Sequence, residues 1–97
     1  MTKVELTIII CSINPERCKI TIENITETVG VEHQIEVFDN REHNWGICKV
    51  YNHCAEKANS PYLCFMHEDF FIETKNWGKD IIDFILILSV LLTNFTP

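Results

Sequence analysis

The sequence predicts an α/β fold of three layers, α/β/α, built on a mostly parallel sheet. Short runs of apolar and β-branched residues alternate with amphipathic helical segments in the order β-α-β-α-β. The first and third runs are apolar throughout, which is typical of strands buried on both faces. Strands joined through helical crossovers are parallel and their connections are right-handed. The order of elements therefore predicts one sheet with helices on its faces.

The first β-α unit is predicted from an apolar run and a helix start signal. Residues 4–10, VELTIII, form the strand, and residues 11–13 follow as a loop. Asn14 is the expected N-cap and Pro15 the first helical residue. Gly30 is the residue expected to end the helix. Apolar residues at helical spacing mark the face that we expect to be buried: Cys18, Ile22, Ile25 and Val29.

The second unit begins with an alternating strand and ends with a buried one. Residues 33–38, HQIEVF, alternate polar and apolar side chains and lead to Asp39. Residues 40–46 form a polar loop, and a helix follows from Ile47 until residues 59–61, NSP, end it. Residues 62–66, YLCFM, predict a third strand that leads into His67, Glu68 and Asp69.

The remainder of the chain gives a weaker signal. Residues 74–84 look like a further helix start, with Trp77, Ile81 and Phe84 on one side. Residues 85–97 are apolar and carry no charge. A fourth strand, a helix extension and an oligomer interface all fit them, and their uninterrupted apolar run is too short for a transmembrane span. We expect residues 1–84 to form the domain and residues 85–97 an apolar tail that makes a homo-oligomer, because soluble monomers avoid large apolar patches.

Length and charge limit the classes of function. Ninety-seven residues make one domain at most. A net charge of −6 disfavours nucleic acid or an anionic membrane as the main partner. The five cysteines are an odd number without a CxxC pair or a signal peptide, so we expect reduced thiols in a cytoplasmic protein. A zinc site of Cys48, His53 and Cys54 is the alternative, although its spacing fits no common zinc pattern.

Three segments with polar or reactive side chains are expected at one rim of the sheet: residues 11–14, 39–40 and 67–69. Parallel sheets of this kind bind ligands outside the carboxyl ends of their strands. Asp39 can accept hydrogen bonds from a ribose hydroxyl or a base N–H, or it can cap the local backbone instead. The candidate ligand-binding residues at the ends of the first two strands and in the loops after them are Cys11, Ser12, Asn14, Asp39, Asn40 and Asn44.

His67 and Asp69 are the candidate metal ligands. They lie two positions apart at a strand end, so they can face the same way and hold a divalent cation between diphosphate oxygens. A carboxylate suits Mg²⁺ or Mn²⁺, and imidazole suits Mn²⁺ better. The alternative is an acidic turn that caps the next helix. The sequence lacks GxGxxG, GxxxxGK[ST] and G-x-S-x-G motifs, which argues against dinucleotide-binding, P-loop and α/β-hydrolase domains.

The segments over residues 4–83 form an ordered set of motifs: VELTIIICSINPE from residue 4, IEVFDNR from residue 35, NWG from residue 44, Asn52, Ala58, YLCFMHED from residue 62 and WGK from residue 77. In their order and spacing, these motifs resemble those of family 2 glycosyltransferases. Within that family they resemble the glycosyltransferase-like subfamily named after a streptomycin-biosynthesis protein. Two features depart from the family pattern: Ser60 stands where Gly is usual, and His67 stands where the first Asp of the DxD motif is usual.

The resemblance implies a GT-A fold, a nucleotide-diphosphate-sugar donor and a Mg²⁺ or Mn²⁺ ion. It implies that Cys11, Ser12 and Asn14 lie near the nucleotide, Asp39 at the base or ribose, and Asp69 at the metal or diphosphate. Family members continue well beyond this length with the acceptor site and the catalytic base. We therefore expect a truncated glycosyltransferase domain. The alternative is a non-catalytic remnant of the fold that binds nucleotide or forms oligomers.

Overall fold

The protein is described by a computed structural model that covers the backbone of residues 4–95 and the side chains of residues 4–86. Three strands and three helices alternate along this part of the chain. Their bounds are β1 Leu6–Ser12, α1 Pro15–Thr28, β2 His33–Asp39, α2 Ile47–Lys57, β3 Tyr62–His67 and α3 Trp77–Phe95.

The three strands form one parallel sheet in the order β2-β1-β3. At the carboxyl end of β1, Ser12 pairs with Asp39 of β2 and Cys11 pairs with His67 of β3. The predicted parallel sheet is therefore confirmed. Its central strand ends between the two segments that carry the predicted site residues.

Helices cover both faces of the sheet, which confirms the three-layer arrangement. Ile8 of β1 packs in one apolar cluster with residues of α1 and α3, including Ile25 and Trp77. Ile9 points to the opposite face and packs against Val50 and Cys54 of α2. Because successive side chains of a strand alternate between faces, a strand covered on both sides must be apolar throughout, as β1 is. The same prediction is wrong for β3, because Leu63 and Phe65 on its other face are 39% and 46% exposed.

Helix α1 forms as its sequence signals indicate. The Asn14 side chain accepts a hydrogen bond from the Arg17 backbone N–H at 3.2 Å, and Pro15 occupies the first turn. Gly30 follows the helix with a φ of +76°, a left-handed conformation that favours glycine. Of the four residues predicted on the inner face, Cys18, Ile25 and Val29 are buried and Ile22 is half-buried.

The largest differences from the predicted element boundaries are at β1 and at the start of α3. Strand β1 begins two residues later than predicted and continues through Ser12, because Cys11 and Ser12 pair with β2 instead of forming a loop. Helix α3 begins at Trp77, not at residue 74, since residues 68–76 first contact α1: the Asn24 amide donates to the Ile72 carbonyl oxygen and accepts from the Ile72 N–H, both at 2.8 Å.

Helix α3 also crosses the predicted boundary between residues 84 and 85 and runs to Phe95. A helix extension is therefore the observed form of residues 85–95. The buried residues on α3 include Trp77 and Ile82, whereas Ile81 and Phe84 are exposed. Within residues 4–95, no helix combines the length and the apolar character needed to cross a membrane.

Candidate functional site

The carboxyl ends of the three strands bring the predicted site residues to one rim. Ser12 and Asp39 are neighbours in the β1–β2 register, and Cys11 and His67 are neighbours in the β1–β3 register. The central strand therefore separates Asp39 on one side from His67 and Asp69 on the other. We define this edge, with the residues that line its cavities, as the rim.

Glu68 links the end of β3 to the end of β1. Its carboxylate accepts hydrogen bonds from the Ser12 hydroxyl at 2.7 Å and from the backbone N–H groups of Ile13 and Asn14, each at 3.1 Å. Its main-chain carbonyl oxygen accepts from the Thr21 hydroxyl of α1. A charged acceptor with three donors stabilises the loop more than neutral hydrogen bonds do. The conformation of residues 12–14 therefore depends on an acid more than fifty residues later in the chain.

The Glu68 carboxylate also lies at the N-terminus of α1, where a helix stabilises an anion. Backbone N–H groups and the helix dipole favour negative charge there. Since the Ile13 and Asn14 N–H groups already donate to Glu68, they are not free donors for a phosphate. A diphosphate at the rim must take its charge compensation from side chains or from a cation.

The sequence motifs include Glu68 without assigning it a role, although the period of β3 predicts which face of the sheet it lies on. Cys64 and Met66 point to the α1 face of the sheet, so the two-residue period of a strand places Glu68 on that side. The same period places His67 and Asp69 together on the other side. Glu68 is 8% exposed, whereas His67 and Asp69 are exposed.

His67 and Asp69 line a shared cavity of about 290 Å³. Arg17 of α1, which sequence reasoning did not select, lines the same cavity. Two accessible ligands and one cation thus surround a space beside the end of β1. Glu68 also lines this cavity, so with Asp69 the wall carries two carboxylates and one guanidinium. Arg17 can supply positive charge and bidentate donors to a diphosphate, which also needs a cation to offset the two carboxylates.

The donor set fits a divalent cation that a substrate helps to hold. Among the described residues, no group of three or more His, Cys, Asp or Glu side chains gathers around one point. Mg²⁺ in phosphate-transfer sites commonly has one or two protein carboxylates and completes its shell with phosphate oxygens and water. Asp69 can supply one such carboxylate and His67 an imidazole, which are too few ligands for an all-protein metal cage.

Asp39 lies on the other side of β1 and is held by Arg41. The Arg41 Nε and Nη2 atoms donate to the Asp39 carboxylate at 2.9 and 2.6 Å, and the Arg41 backbone N–H donates at 3.1 Å. These hydrogen bonds, with the positive charge of the guanidinium, lower the pKa of Asp39 to about 2. Asp39 is therefore ionised throughout the neutral range, and Arg41 is a second residue that sequence reasoning did not select.

A cavity of about 540 Å³ lies between β2 and α1 beside this ion pair. Its wall includes apolar side chains such as Pro15, Ile22 and Val37. Ser12, Asp39 and Arg41 supply its polar edge, and Lys19 adds a cation. An apolar wall with a few polar groups is the usual composition of a small-molecule site.

Asn40 and Asn44 have structural roles in the loop before α2. The buried Asn40 side chain donates to the Trp45 carbonyl oxygen and accepts from the Trp45 N–H, both at 2.9 Å. Asn44 has a φ of +51°, a left-handed conformation that asparagine tolerates better than most residues. In the described part of the chain, neither residue lines the rim cavities defined above.

The cysteines show no feature of a metal centre. Cys54 is buried in the core beside α2 while Cys48 is exposed, so the two point to different environments and the zinc alternative gains no support. Burial raises the pKa of the Cys11 thiol at the rim. Cys11 therefore stays a protonated, weakly polar group near neutral pH.

Comparison with known proteins identifies one family. The family model described as "Glycosyltransferase like family" matches residues 7–86, which include every residue of the rim. Neither the curated proteins nor the solved structures include a match to the chain.

Proposed function

Because this chain belongs to the glycosyltransferase-like family, we propose that its rim binds a nucleotide-diphosphate sugar for glycosyl transfer. The observation that carries the proposal is the contact of Glu68 with residues 12–14. That contact fixes the carboxyl ends of β1 and β3 to each other, beside Asp39 at the end of β2. A preformed rim with polar groups on both sides of its central strand suits an elongated ligand.

The two sides of the rim suit different parts of the nucleotide-diphosphate sugar. Asp39, ionised and fixed by Arg41, can accept a hydrogen bond from the base or the ribose in the larger cavity. Arg17, His67 and Asp69 can contact the diphosphate in the smaller cavity. The nucleotide would then cross the end of β1, near Cys11 and Ser12.

His67 and Asp69 would hold the metal ion of this site, Mg²⁺ or Mn²⁺. When bound, that ion stabilises the negative charge that develops on the departing diphosphate as the bond to the anomeric carbon breaks. Arg17 contributes positive charge to the same side of the rim. We assign donor binding to this chain and assign no described residue as the base that deprotonates the acceptor.

Within the family, we assign the chain to the streptomycin-biosynthesis type. The support is the sequence DNR, NWG, HED and WGK, in that order, at residues 39, 44, 67 and 77. We also propose a cytoplasmic location, because all five cysteines are free and reducing compartments keep thiols in that state.

Calorimetry with nucleoside diphosphates tests the proposed function. We expect heat of binding when UDP, GDP, CDP or dTDP is titrated in the presence of Mn²⁺, with Kd values in the millimolar range or below. Asp39→Asn and Asp69→Asn should each weaken binding, and Glu56→Gln, an exposed acid on α2, is the matched control. Absence of heat with all four ligands, in folded protein, would refute the proposal.

A second candidate function is a self-associating module that keeps the fold without transfer activity. The observation that favours it is the exposure of large apolar side chains at the start of α3, among them Phe84 at 64%. Self-association without nucleotide binding would support this candidate. Nucleotide binding that depends on Asp39 and Asp69 would support the first. The predicted homo-oligomer through residues 85–97 remains a prediction.

A further inference from the structure

The two edges of the sheet differ in how they are protected. In the described residues, β3 pairs with β1 alone, so one side of its backbone has no strand beside it. The β2 edge carries charged side chains, Glu36 and Asp39, which discourage pairing with another strand. Residues 62–66 of β3 carry no charge, and an uncharged apolar edge is a template for strand addition.

An apolar surface accompanies the open edge of β3. A cavity of about 500 Å³ runs along it, with Phe65, Phe70 and Ile81 in its wall. Leu63 shares a strand face with Phe65, and Phe84 lies about one turn after Ile81 on α3. We call these five residues the β3-edge patch: Leu63, Phe65, Phe70, Ile81 and Phe84.

The patch has the size that a stable dimer interface requires. Its members are between 39% and 64% exposed. Large apolar side chains offer roughly 200 Å² each, so the patch presents on the order of 500 Å² of apolar surface. A standard interface buries about 800 Å² per partner, of which about two thirds is apolar in homodimers. The open backbone and the polar surroundings can supply the remainder.

The β3 edge can also pair with the β3 edge of a second copy of the chain. In an antiparallel pair of β3 strands centred on Cys64, Leu63 faces Phe65 of the other copy and Tyr62 faces Met66, so the two side chains of each pair lie on the same face of the sheet. No pair of like charges meets in this register. The same arrangement on β2, centred on Glu36, would place two carboxylates opposite each other, which destabilises a strand pair.

We propose that the chain forms a two-fold dimer by antiparallel pairing of β3 edges, with the β3-edge patch buried between the copies. The two sheets then continue as one sheet of six strands, and the symmetric contact closes without forming a fibre. Side chains of the added strand alternate between faces, so some contact Phe65 and others contact Ile81. The interface lies on residues 62–66 of β3 and the start of α3, and its formation requires no nucleotide.

Sedimentation velocity of the full chain, at tens of micromolar and without nucleotide, tests the proposal. We expect twice the chain mass of 11.3 kDa for the natural sequence. Leu63→Lys should give a folded monomer by sedimentation and circular dichroism, since it places a charge in the interface. Val37→Lys on the β2 edge, where Val37 is 40% exposed against 39% for Leu63, is the matched control and should remain a dimer.

Phe84→Lys repeats the test on α3 without changing the sheet, in case Leu63→Lys does not fold. It should also give a monomer, because Phe84 belongs to the patch. A natural sequence that sediments as a monomer would overturn the proposal. So would a dimer that survives both substitutions, or assemblies larger than a dimer, since the two-fold contact closes.

Discussion

At the scale of single residues, Glu68 accepts the hydrogen bonds that join the ends of β1 and β3 at the rim. Glu68→Gln removes the charge and turns an amide group toward backbone donors. Hydrogen bonds to charged groups contribute about 1.5–3 kcal/mol each, and partial retention by Gln leads us to expect a loss of about 1–3 kcal/mol in the free energy of unfolding. Urea denaturation measures this loss as a lower midpoint with an unchanged slope.

Asp69→Asn is the control for this substitution. Asp69 is the next residue, is exposed, and should change the unfolding free energy by less than about 0.5 kcal/mol. If Glu68→Gln and Asp69→Asn proved equally stable, the hydrogen bonds from Ser12 and Asn14 would not be the contacts that fix the rim.

The Asp39–Arg41 pair predicts a specific pH dependence. The pKa of Asp39 falls from 3.8 to about 2 in the folded protein, so the stability from this pair is present above pH 3.8 and is lost as the pH falls to about 2. Arg41→Ala should therefore raise the pKa of Asp39 toward 3.8. The stability advantage of the natural sequence over Arg41→Ala should also disappear across this window.

An NMR titration of the Asp39 carboxyl carbon measures this shift directly. Arg17→Ala, which removes a cation from the other side of the rim, should leave the pKa of Asp39 near 2. An Asp39 that titrates identically in the natural sequence and in Arg41→Ala would show that the guanidinium does not control its ionisation.

At the scale of elements, α1 and α3 approach closely at Gly78. A Cβ atom at Gly78 would lie 2.6 Å from Val29 Cγ2 and 2.7 Å from the Val29 carbonyl oxygen. Gly78→Ala gains up to about 1 kcal/mol in helix propensity but creates contact with a backbone atom, so we expect a net loss of about 1–3 kcal/mol. Thermal and urea unfolding would measure it.

Gly46→Ala is the matched control, because a Cβ atom there meets nothing within 4 Å and its φ is −65°. Gly46→Ala lowers the conformational entropy of the unfolded chain, so we expect it to be as stable as the natural sequence or slightly more stable. A stable Gly78→Ala would mean that α3 can move away from α1 at little cost.

The elements also show what sequence patterns can predict. The three strands and two of the helices follow from local signals: apolar runs, the Asn14-Pro15 start and the apolar period of α1. The start of α3 does not, because Asn24 holds Ile72 in an extended segment through contacts between residues 48 positions apart. The burial of Ile82 instead of Ile81 has the same origin, since the packing of α3 decides it.

At the scale of the whole molecule, the rim was predictable and its stabilising contacts were not. The order β-α-β-α-β implies that Ser12, Asp39 and His67 end neighbouring strands, and the register confirms it. The roles of Arg17, Arg41 and Glu68 depend on where side chains turn after the backbone is folded. Of these three residues, only Glu68 has an orientation that the sequence predicts, because side chains in β3 alternate between faces with a period of two.

The central claim is that one nucleotide diphosphate crosses the ends of all three strands. An NMR titration of the ¹⁵N-labelled chain with UDP and Mg²⁺ tests it most directly, through the backbone amide shifts. We predict that the largest shifts fall together at residues 11–14, 39–41 and 67–69, with the amides of residues 47–57 on α2 unaffected. Shifts confined to α2 or to α3 would contradict the account. So would the absence of shifts in the folded protein with millimolar UDP and, in the same titration, with GDP, CDP and dTDP.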